Sequence, residues 1–453
     1  MRAKASPNLS VGWTVSITSL AFVIAQLDVS IVNIALPQVA LTFNADISTL
    51  QWIIDAYTLA FAVLMLSAGS LSDLLGAKRI FQFGMIIFGV ASAGCGLAWD
   101  AHSLIGFRVL QGVGAATMIP SSLAILNQAF AHHPKTRAHA VGLWTAAGSA
   151  AIAAGPVLGG LLIALSNWRF IFFVNLPLCF AGLLLSSRLP HSHQSSGRHF
   201  DLQGQLVWML CITALITSII EYPVFGFGHP LIYGGLLCSV LMLILFLYIE
   251  RRVRHPMLPL ELFRSANFNL LLLLGAVLNG SYYGTVFILS LYLQNVLHYP
   301  VFIAGLAFLP LTVGFVISNI WSGRIINRFG LRMPVLTGLA LFIAGFAGLF
   351  IADRDTAYWK LLLPFMAMPL GMGLAVPAMT TGILASVDKT FSGTASAALN
   401  TVRQASGAIG VAVFGAIAAG GSSSVLYAVG FSASVSIVCA VLVWFLIFRY
   451  LKG

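Results

Sequence analysis

The chain is a succession of long apolar segments separated by short polar ones, and this alternation determines its environment. Hydrophobic residues make up 59% of its 453 residues and charged residues only 8%, far below the roughly 25% charged residues of a soluble domain. A membrane-spanning helix needs roughly 20 apolar residues, and by that rule the sequence predicts about fourteen spans. We therefore expect an all-α integral membrane protein that lies in a lipid bilayer.

The distribution of basic residues predicts how these spans are oriented. The chain carries 23 Lys and Arg residues. With the predicted spans, Arg169, Arg354 and Lys360 lie on one side of the membrane, and nearly all the other basic residues lie on the opposite side. The positive-inside rule then places both termini in the cytoplasm, in a multi-pass protein of the plasma (inner) membrane. Because the basic residues lie in short clusters between apolar segments, we expect no nucleic-acid partner.

A short polar hinge, present in two copies, predicts two related halves. The first copy is GSLSDLLGAKR, with Gly69, Asp73, Gly76 and Arg79, and the second is GRIINRFGLR at 323–332. Gly323, Asn327 and Gly330 follow Gly69, Asp73 and Gly76 by 254 residues each. Internal repeats of this kind are typical of secondary transporters.

The separation of the two hinges predicts the domain organisation. The first hinge joins predicted spans 2 and 3, and its copy joins spans 10 and 11, so two helices beyond a six-plus-six design lie between the halves. We expect an N-terminal six-helix bundle at 1–190, a cytoplasmic linker at 191–202, two inserted helices at 203–250 and a C-terminal six-helix bundle at 251–453. The linker histidines His191, His193 and His199 favour a solvated loop over a metal site.

Ionisable side chains inside the spans are the candidates for chemistry, because each costs about 2.5 to 3.5 kcal/mol on insertion scales. Asp28 lies in the middle of span 1, Asp55 in span 2, Arg108 in span 4 and Arg403 in span 13. A low dielectric favours the neutral form of a carboxylate, whereas a nearby arginine favours the charged form. Asp28 is therefore a candidate proton carrier that opens on a central cleft. The alternative is a permanent ion pair with Arg108 that holds helices together.

Several other classes of protein find no support in the sequence. No GxxxxGK[ST] nucleotide-binding loop is present, so transport driven by ATP on this chain alone is not expected. No hydrolytic triad or metal-ligand spacing is apparent, and we expect neither an enzyme nor a protein with a cofactor or a bound metal. Span 5 is rich in small residues, with Gly155 and Pro156 in GSAAIAAGPVLGG, a composition that allows close helix packing and a bend.

Taken together, these segments resemble the major facilitator superfamily, and within it the fourteen-helix drug:proton antiporter family. The first hinge resembles the superfamily signature between helices 2 and 3. Further similarity lies in LDVSIVNIALP of span 1, RVLQGVGAA of span 4, GSAAIAAGPVLGG of span 5 and NWRFIFFVNLP at 167–177. The motif of span 5 is similar to the antiporter motif, which favours export over uptake.

The resemblance implies a fold and a mechanism. The fold would be two six-helix bundles, plus the two inserted helices, that rock around a central cavity as protons enter and a small-molecule substrate leaves. Asp28 would carry the proton and Arg108 would tune it, and Asp55 is a further candidate for proton coupling from its place in span 2. The conformational latch would involve Gly69, Asp73, Gly76, Arg79, Gly155 and Pro156. We expect a monomer that exports amphipathic small molecules or drugs, including antibiotics.

Polar and aromatic residues of both halves are the candidates for the substrate cavity. They are Asn33, Tyr57, Gln111, Trp144, Asn279, Tyr283, Gln294, Asn400 and Arg403. Each has the alternative of a helix-to-helix hydrogen bond. Spans 9 to 14 contain no clear buried acid, which argues against dicationic substrates and leaves neutral or anionic ones open. Two further alternatives are an importer or facilitator of a small metabolite with the same fold, and a membrane receptor or assembly factor that transports nothing.

Overall fold

The computed structural model describes residues 11–130, 133–189, 201–253, 256–387 and 392–451, and all the regular elements in these ranges are helical. The N-terminal half contains seven helices: α1 (Val11–Phe43), α2 (Ile47–Leu75), α3 (Ala77–Gly96), α4 (Ala101–Ala129), α5 (Pro134–Leu165), α6 (Phe170–Phe173) and α7 (Asn175–Ser186). Two helices follow, α8 (Leu202–Phe225) and α9 (Pro230–Arg252). The linker histidines His191, His193 and His199 lie outside the described residues.

The C-terminal half begins after a short 3₁₀ turn at Leu260–Arg264. Its helices are α10 (Ala266–Leu291), α11 (Val301–Ala307), α12 (Leu309–Phe329), α13 (Arg332–Gly348), α14 (Tyr358–Ala385), α15 (Ser392–Ala418) and α16 (Ser422–Tyr450). A π-helical turn, Tyr292–Val296, extends α10. These helices confirm the all-α membrane fold.

The number of spans is close to the expected fourteen. Among the described residues, twelve helices are long and apolar enough to cross a membrane. The two parts of α5, His139–Ile152 and Ala154–Leu165, meet at 42° and together make a thirteenth span. Pro156 accounts for this bend because it cannot donate to the carbonyl of Ile152. The predicted sixth span is the short apolar segment Phe170–Ser186, which at 1.5 Å per residue is only about 26 Å long.

Each half packs as a bundle around close helix pairs. In the first half α1 packs on α5, and α4 packs on both α2 and α3. In the second half α10 packs on α15, and α14 packs on both α12 and α13. Helices α10 and α15 approach closely at their backbones, because a Cβ atom added at Gly410 would lie 2.0 Å from the carbonyl oxygen of Gly280. Only glycine fits at Gly410.

The additional helix α8 lies against both halves, because it packs on α9, α2 and α15. Polar contacts join it to α2 at both ends: Trp52 Nε1 donates to Glu221 Oε1 at 2.7 Å, and Gln205 Nε2 donates to the carbonyl of Val63 at 2.8 Å. Its described contacts with α15 form an apolar cluster with Ala408 and Ala412. The boundaries predicted for the linker and inserted helices stay predictions.

The two bundles meet at the end where α1 terminates and α2 begins. Ser290 Oγ donates to the carbonyl of Asn33 at 2.6 Å, and Gln294 Nε2 donates to the carbonyl of Ile34 at 3.2 Å. On the other flank, Gln51 Nε2 donates to the carbonyl of Ala412 at 2.7 Å. These contacts close the side of the protein that the charge distribution predicts to be extracellular.

Candidate functional site

The centre of the N-terminal bundle holds a buried ion pair between α1 and α4. Asp28 has no exposed surface, and Arg108 is 1% exposed. Arg108 Nη1 donates to Asp28 Oδ2. The other carboxylate oxygen, Oδ1, accepts from Gln111 Nε2 at 3.1 Å and from Asn175 Nδ2 of α7 at 3.0 Å. Both oxygens of Asp28 therefore have hydrogen-bond partners.

Arg108 is equally well coordinated. Its Nε donates to the carbonyl of Ile53 at 2.9 Å, and its Nη1 also donates to Gln111 Oε1 at 2.8 Å. The guanidinium carbon lies 4.4 Å from the centre of the Tyr57 ring, a distance at which a cation is attracted to an aromatic face. A charge that has left water is stable only when pairing and hydrogen bonds replace its hydration, and this cluster supplies both.

The cluster corrects one expectation, because Asp28 does not open on a central cleft in this structure. Ser30, two residues further along α1, lines a cavity between the two bundles. Residues two apart on a helix do not share a face, so Asp28 points away from that cavity. The geometry here is that of the ion pair which the sequence left as an alternative.

Sequence reasoning missed two members of this cluster. Asn175 binds Asp28, and Ser92 of α3 accepts from Gln111 Nε2 at 2.8 Å. Asn175 lies in the motif NWRFIFFVNLP, where a buried amide in an otherwise apolar segment was the available signal. Nothing in the sequence around Ser92 distinguishes it from other small residues of α3.

Asp55 of α2 lies apart from this cluster. It has no exposed surface, and its Oδ1 accepts from Thr58 Oγ1 at 3.3 Å. Its Oδ2 has no hydrogen-bond partner among the described residues. Asp55 is thus a buried acid without a described cation beside it.

The two hinges share their geometry. Gly76 separates α2 from α3 with φ +94°, and its N–H donates to the carbonyl of Ser72 at 3.0 Å. Gly330 ends α12 with φ +75°, and its N–H donates to the carbonyl of Ile326 at 2.9 Å. Both glycines adopt a left-handed backbone that other residues rarely adopt, which explains why both copies carry glycine at this position.

The other residues of the predicted latch lie around these turns and at the meeting of the bundles. Arg79 is exposed, Gly69 has open space beside it, and the side chain of Asp73 lies outside the described part of the structure. A Cβ atom at Gly155 would lie 1.9 Å from Ser30 Oγ, so α5 touches α1 there. A Cβ atom at Gly305 would lie 2.6 Å from the carbonyl oxygen of Pro156, so α5 also touches α11.

A small cavity, partly open to solvent, lies between the two bundles. The first half contributes α1 and α5, and the second contributes α10 and the α11–α12 junction. Its polar and aromatic lining consists of Ser30, Asn33, Tyr282, Tyr283, Phe308 and Thr312. Aromatic rings with a few hydroxyl and amide groups are typical of sites for small amphipathic molecules.

The nine residues predicted for the substrate cavity lie at several different sites in the structure. Asn33 and Tyr283 line it, whereas Tyr57 and Gln111 belong to the ion-pair cluster. Trp144 stacks on Phe22 with ring centres 4.1 Å apart.

Three of the remaining four predicted cavity residues bond to neighbouring helices, and one bonds within its own. Gln294 bonds to α1 in the closed end. Arg403 Nε donates to Asn279 Oδ1 at 3.3 Å, which joins α15 to α10. Asn400 Nδ2 donates to the carbonyl of Ser396 in its own helix. Ser30, Tyr282 and Thr312 line the cavity without having been predicted.

Comparison with known proteins identifies the family to which this chain belongs. A family model described as Major Facilitator Superfamily matches residues 18–411. A methylenomycin A resistance protein of Bacillus subtilis (strain 168) is 35% identical over 403 residues, which are 88% of this chain and 86% of that protein. A tetracenomycin C resistance and export protein of Streptomyces glaucescens is 31% identical over 408 residues, 90% of this chain and 76% of that protein.

A solved structure shares the fold. The partially occluded, inward-open conformation of the xylose transporter XylE from E. coli matches with a TM-score of 0.68, covering 98% of this chain and 100% of that one at 13% identity. At this identity the likeness is one of fold alone.

Proposed function

We propose that this chain, which belongs to the Major Facilitator Superfamily, is a proton-driven exporter of amphipathic small molecules, antibiotics included. The observation that carries the proposal is the similarity, over most of the chain, to proteins named for resistance to antibiotics and for their export. The absence of a nucleotide-binding loop from the sequence agrees with a secondary transporter.

Helix α1 provides the physical link between proton and substrate. It carries Asp28 in the buried cluster, Ser30 and Asn33 in the wall of the cavity, and the carbonyls of Asn33 and Ile34 in the closed end. A change at Asp28 therefore acts on the cavity and on the closed end through one helix. Direct contact between proton carrier and substrate is not needed.

The proton acts by changing the attraction between α1 and α4. When Asp28 is ionised, its charge is balanced by Arg108, and breaking a buried pair of this kind costs about 3–5 kcal/mol. Protonation removes the charge on Asp28 and weakens the attraction, so that α1 can move relative to α4 and α7. A membrane potential of 100 mV supplies about 2.3 kcal/mol for each charge that crosses, which is of the same order.

The two hinges act in the outward-facing state of the transport cycle. In the structure described, the predicted extracellular end is closed and the hinges lie at the other end of the bundles. When the cavity faces outward, Asp73 and Arg79 would form the cytoplasmic latch. The second hinge has Asn327 in place of an acid and would hold more weakly. Asp55 is a second candidate for proton coupling.

A resistance and accumulation assay tests the proposal. Cells that express the native chain should tolerate more of at least one compound in an antibiotic panel, and accumulate less of it, than cells expressing Asp28→Asn. The matched control is Asp100→Asn, which lies outside the spans.

Asp100 is a suitable control because it is exposed and caps α4. Its Oδ1 accepts from the backbone N–H of Ser103 at 2.7 Å, and this bond lowers the pKa of its carboxyl below the ordinary value. It therefore does not exchange protons near neutral pH, and an asparagine can keep the cap. Equal resistance from the native chain and Asp28→Asn would remove Asp28 from the mechanism. Absence of resistance to every compound would contradict export of antibiotics.

A further inference from the structure

The side chain of Arg403 is only partly satisfied. It lies on α15, is partly buried, and makes one described hydrogen bond, from Nε to Asn279 Oδ1 at 3.3 Å. Its two terminal nitrogens have no described hydrogen-bond partner. Neither of them is a fully buried atom. The terminal nitrogens of Arg403 therefore face accessible space.

Within the part of the chain that the structure describes, no acid forms an ion pair with this arginine. Among the described residues the ion pair within 4.0 Å is that of Arg108 with Asp28. Helices α10 to α16 contain no Asp or Glu in their sequences. A cation without an acidic partner inside a membrane protein is costly and marks a functional site by default.

Arg403 lies near the middle of α15. From Ser392, where α15 begins, to Arg403 the helix rises about 17 Å, which is about half of a 30 Å hydrocarbon core. One turn further on, a Cβ atom at Gly407 would lie 3.1 Å from Cδ2 of Tyr283, and Tyr283 lines the cavity. Tyr283, a residue of the cavity wall, therefore packs against α15 one turn beyond Arg403.

The backbone around Arg403 is fixed by close packing. A Cβ atom at Gly280 would lie 3.0 Å from the carbonyl oxygen of Ser406, and one at Gly284 would lie 2.5 Å from that of Gly410. Helix α15 therefore cannot rotate against α10 without steric clash, and Arg403 is held in place while its terminal nitrogens stay available.

We infer that Arg403, with Asn279 and Tyr283, forms a subsite for the carboxylate of an anionic, amphipathic substrate. The guanidinium group presents two parallel N–H donors that match a carboxylate, Asn279 holds Nε, and the aromatic rings of the cavity take the apolar part of the molecule. Helices α10 to α16 offer no acid to attract a cation. This inference rests on the proposed export function and specifies its substrate class.

Equilibrium binding to the purified, full-length protein tests the subsite without requiring transport. The probes are 7-diethylaminocoumarin-3-carboxylic acid and its neutral methyl ester, with binding followed by fluorescence polarisation. The native protein should bind the acid at least tenfold more tightly than the ester. Arg403→Gln should reduce this preference to less than twofold, and Arg403→Lys should leave an intermediate preference because it keeps the charge but loses the fork.

The ratio of acid to ester affinity within each variant cancels any loss of folded protein. A native protein that prefers the acid by less than twofold, or an Arg403→Gln variant with the native preference, would overturn the inference. Repeating the assay in nanodiscs of phosphatidylcholine and of phosphatidylglycerol separates substrate from lipid. Loss of the preference in phosphatidylglycerol alone would assign the subsite to a lipid phosphate and overturn a carboxylate substrate. The proposed export function is tested separately from the subsite. It would be wrong if the protein binds the acid as expected but no proton gradient drives efflux.

Discussion

The two arginines inside the membrane, Arg108 in the first half and Arg403 in the second, differ in how fully the protein satisfies them. Arg108 bonds to Asp28, to the carbonyl of Ile53 and to Gln111, and it is 1% exposed. Arg403 makes one described bond, of 3.3 Å, to Asn279. The first arginine holds helices together around a carboxylate that the protein itself supplies. The second leaves its charge for a carboxylate that comes from outside.

The largest effect is expected from Arg108→Leu. It leaves the carboxylate of Asp28 buried without a cation, which should lower the free energy of unfolding by about 3–5 kcal/mol. Thermal unfolding in detergent, followed by size-exclusion chromatography, measures the change. The double variant Asp28→Leu with Arg108→Leu should recover most of the loss because no uncompensated charge remains. A single variant as stable as the native chain would contradict the structural half of the comparison.

The next largest losses of stability are expected from replacing the two asparagines that bond to these charged groups. Asn175→Leu removes a 3.0 Å hydrogen bond to Asp28, and a bond to a buried charge contributes about 1.5–3 kcal/mol. Asn279→Leu removes a longer bond, of 3.3 Å, to the partly exposed Arg403 and should therefore cost less than Asn175→Leu. Chemical denaturation of both variants in the same detergent compares them. The reverse order of stabilities would show that Arg403 is the more tightly held arginine.

The smallest effect on stability is expected from Arg403→Leu. Only one hydrogen bond is lost, and Asn279 Nδ2 keeps its bond of 2.8 Å to the carbonyl of Gly275. The free energy of unfolding, followed through the melting temperature, should change by about 1 kcal/mol or less. Binding of the coumarin acid should fall. Destabilisation as large as that of Arg108→Leu would mean that Arg403 is structural, and the comparison between the two halves would fail.

The sequence predicted the helices and the charged pair better than it predicted the neighbours of each polar group. Apolar segments long enough to span a bilayer must form helices there, so the spans could be located from composition. Asp28 and Arg108 meet because a buried acid and a buried base are stable only when they are paired. The left-handed turns at Gly76 and Gly330 likewise follow from the glycines of the hinge.

What the sequence did not reveal is how each helix is rotated about its axis. In a span that is apolar on every side, the periodicity does not show which face meets which neighbour. Tyr57 and Gln111 were therefore expected in the cavity and instead lie around Arg108. Ser30 and Tyr282 line the cavity without any local signal. Asn175 reaches Asp28 from α7, a contact across 147 positions that no local pattern indicates.

Proton movement in proteoliposomes tests most directly whether Asp28 couples protons to substrate. Vesicles that contain the native protein and a pH-sensitive dye should show proton flux opposite to the substrate when an exported compound is added on one side. With Asp28→Asn, we expect exchange of labelled for unlabelled substrate to continue while the proton flux disappears. Proton flux of native size in Asp28→Asn vesicles would contradict the account, because the proton would then cross without the buried acid of α1.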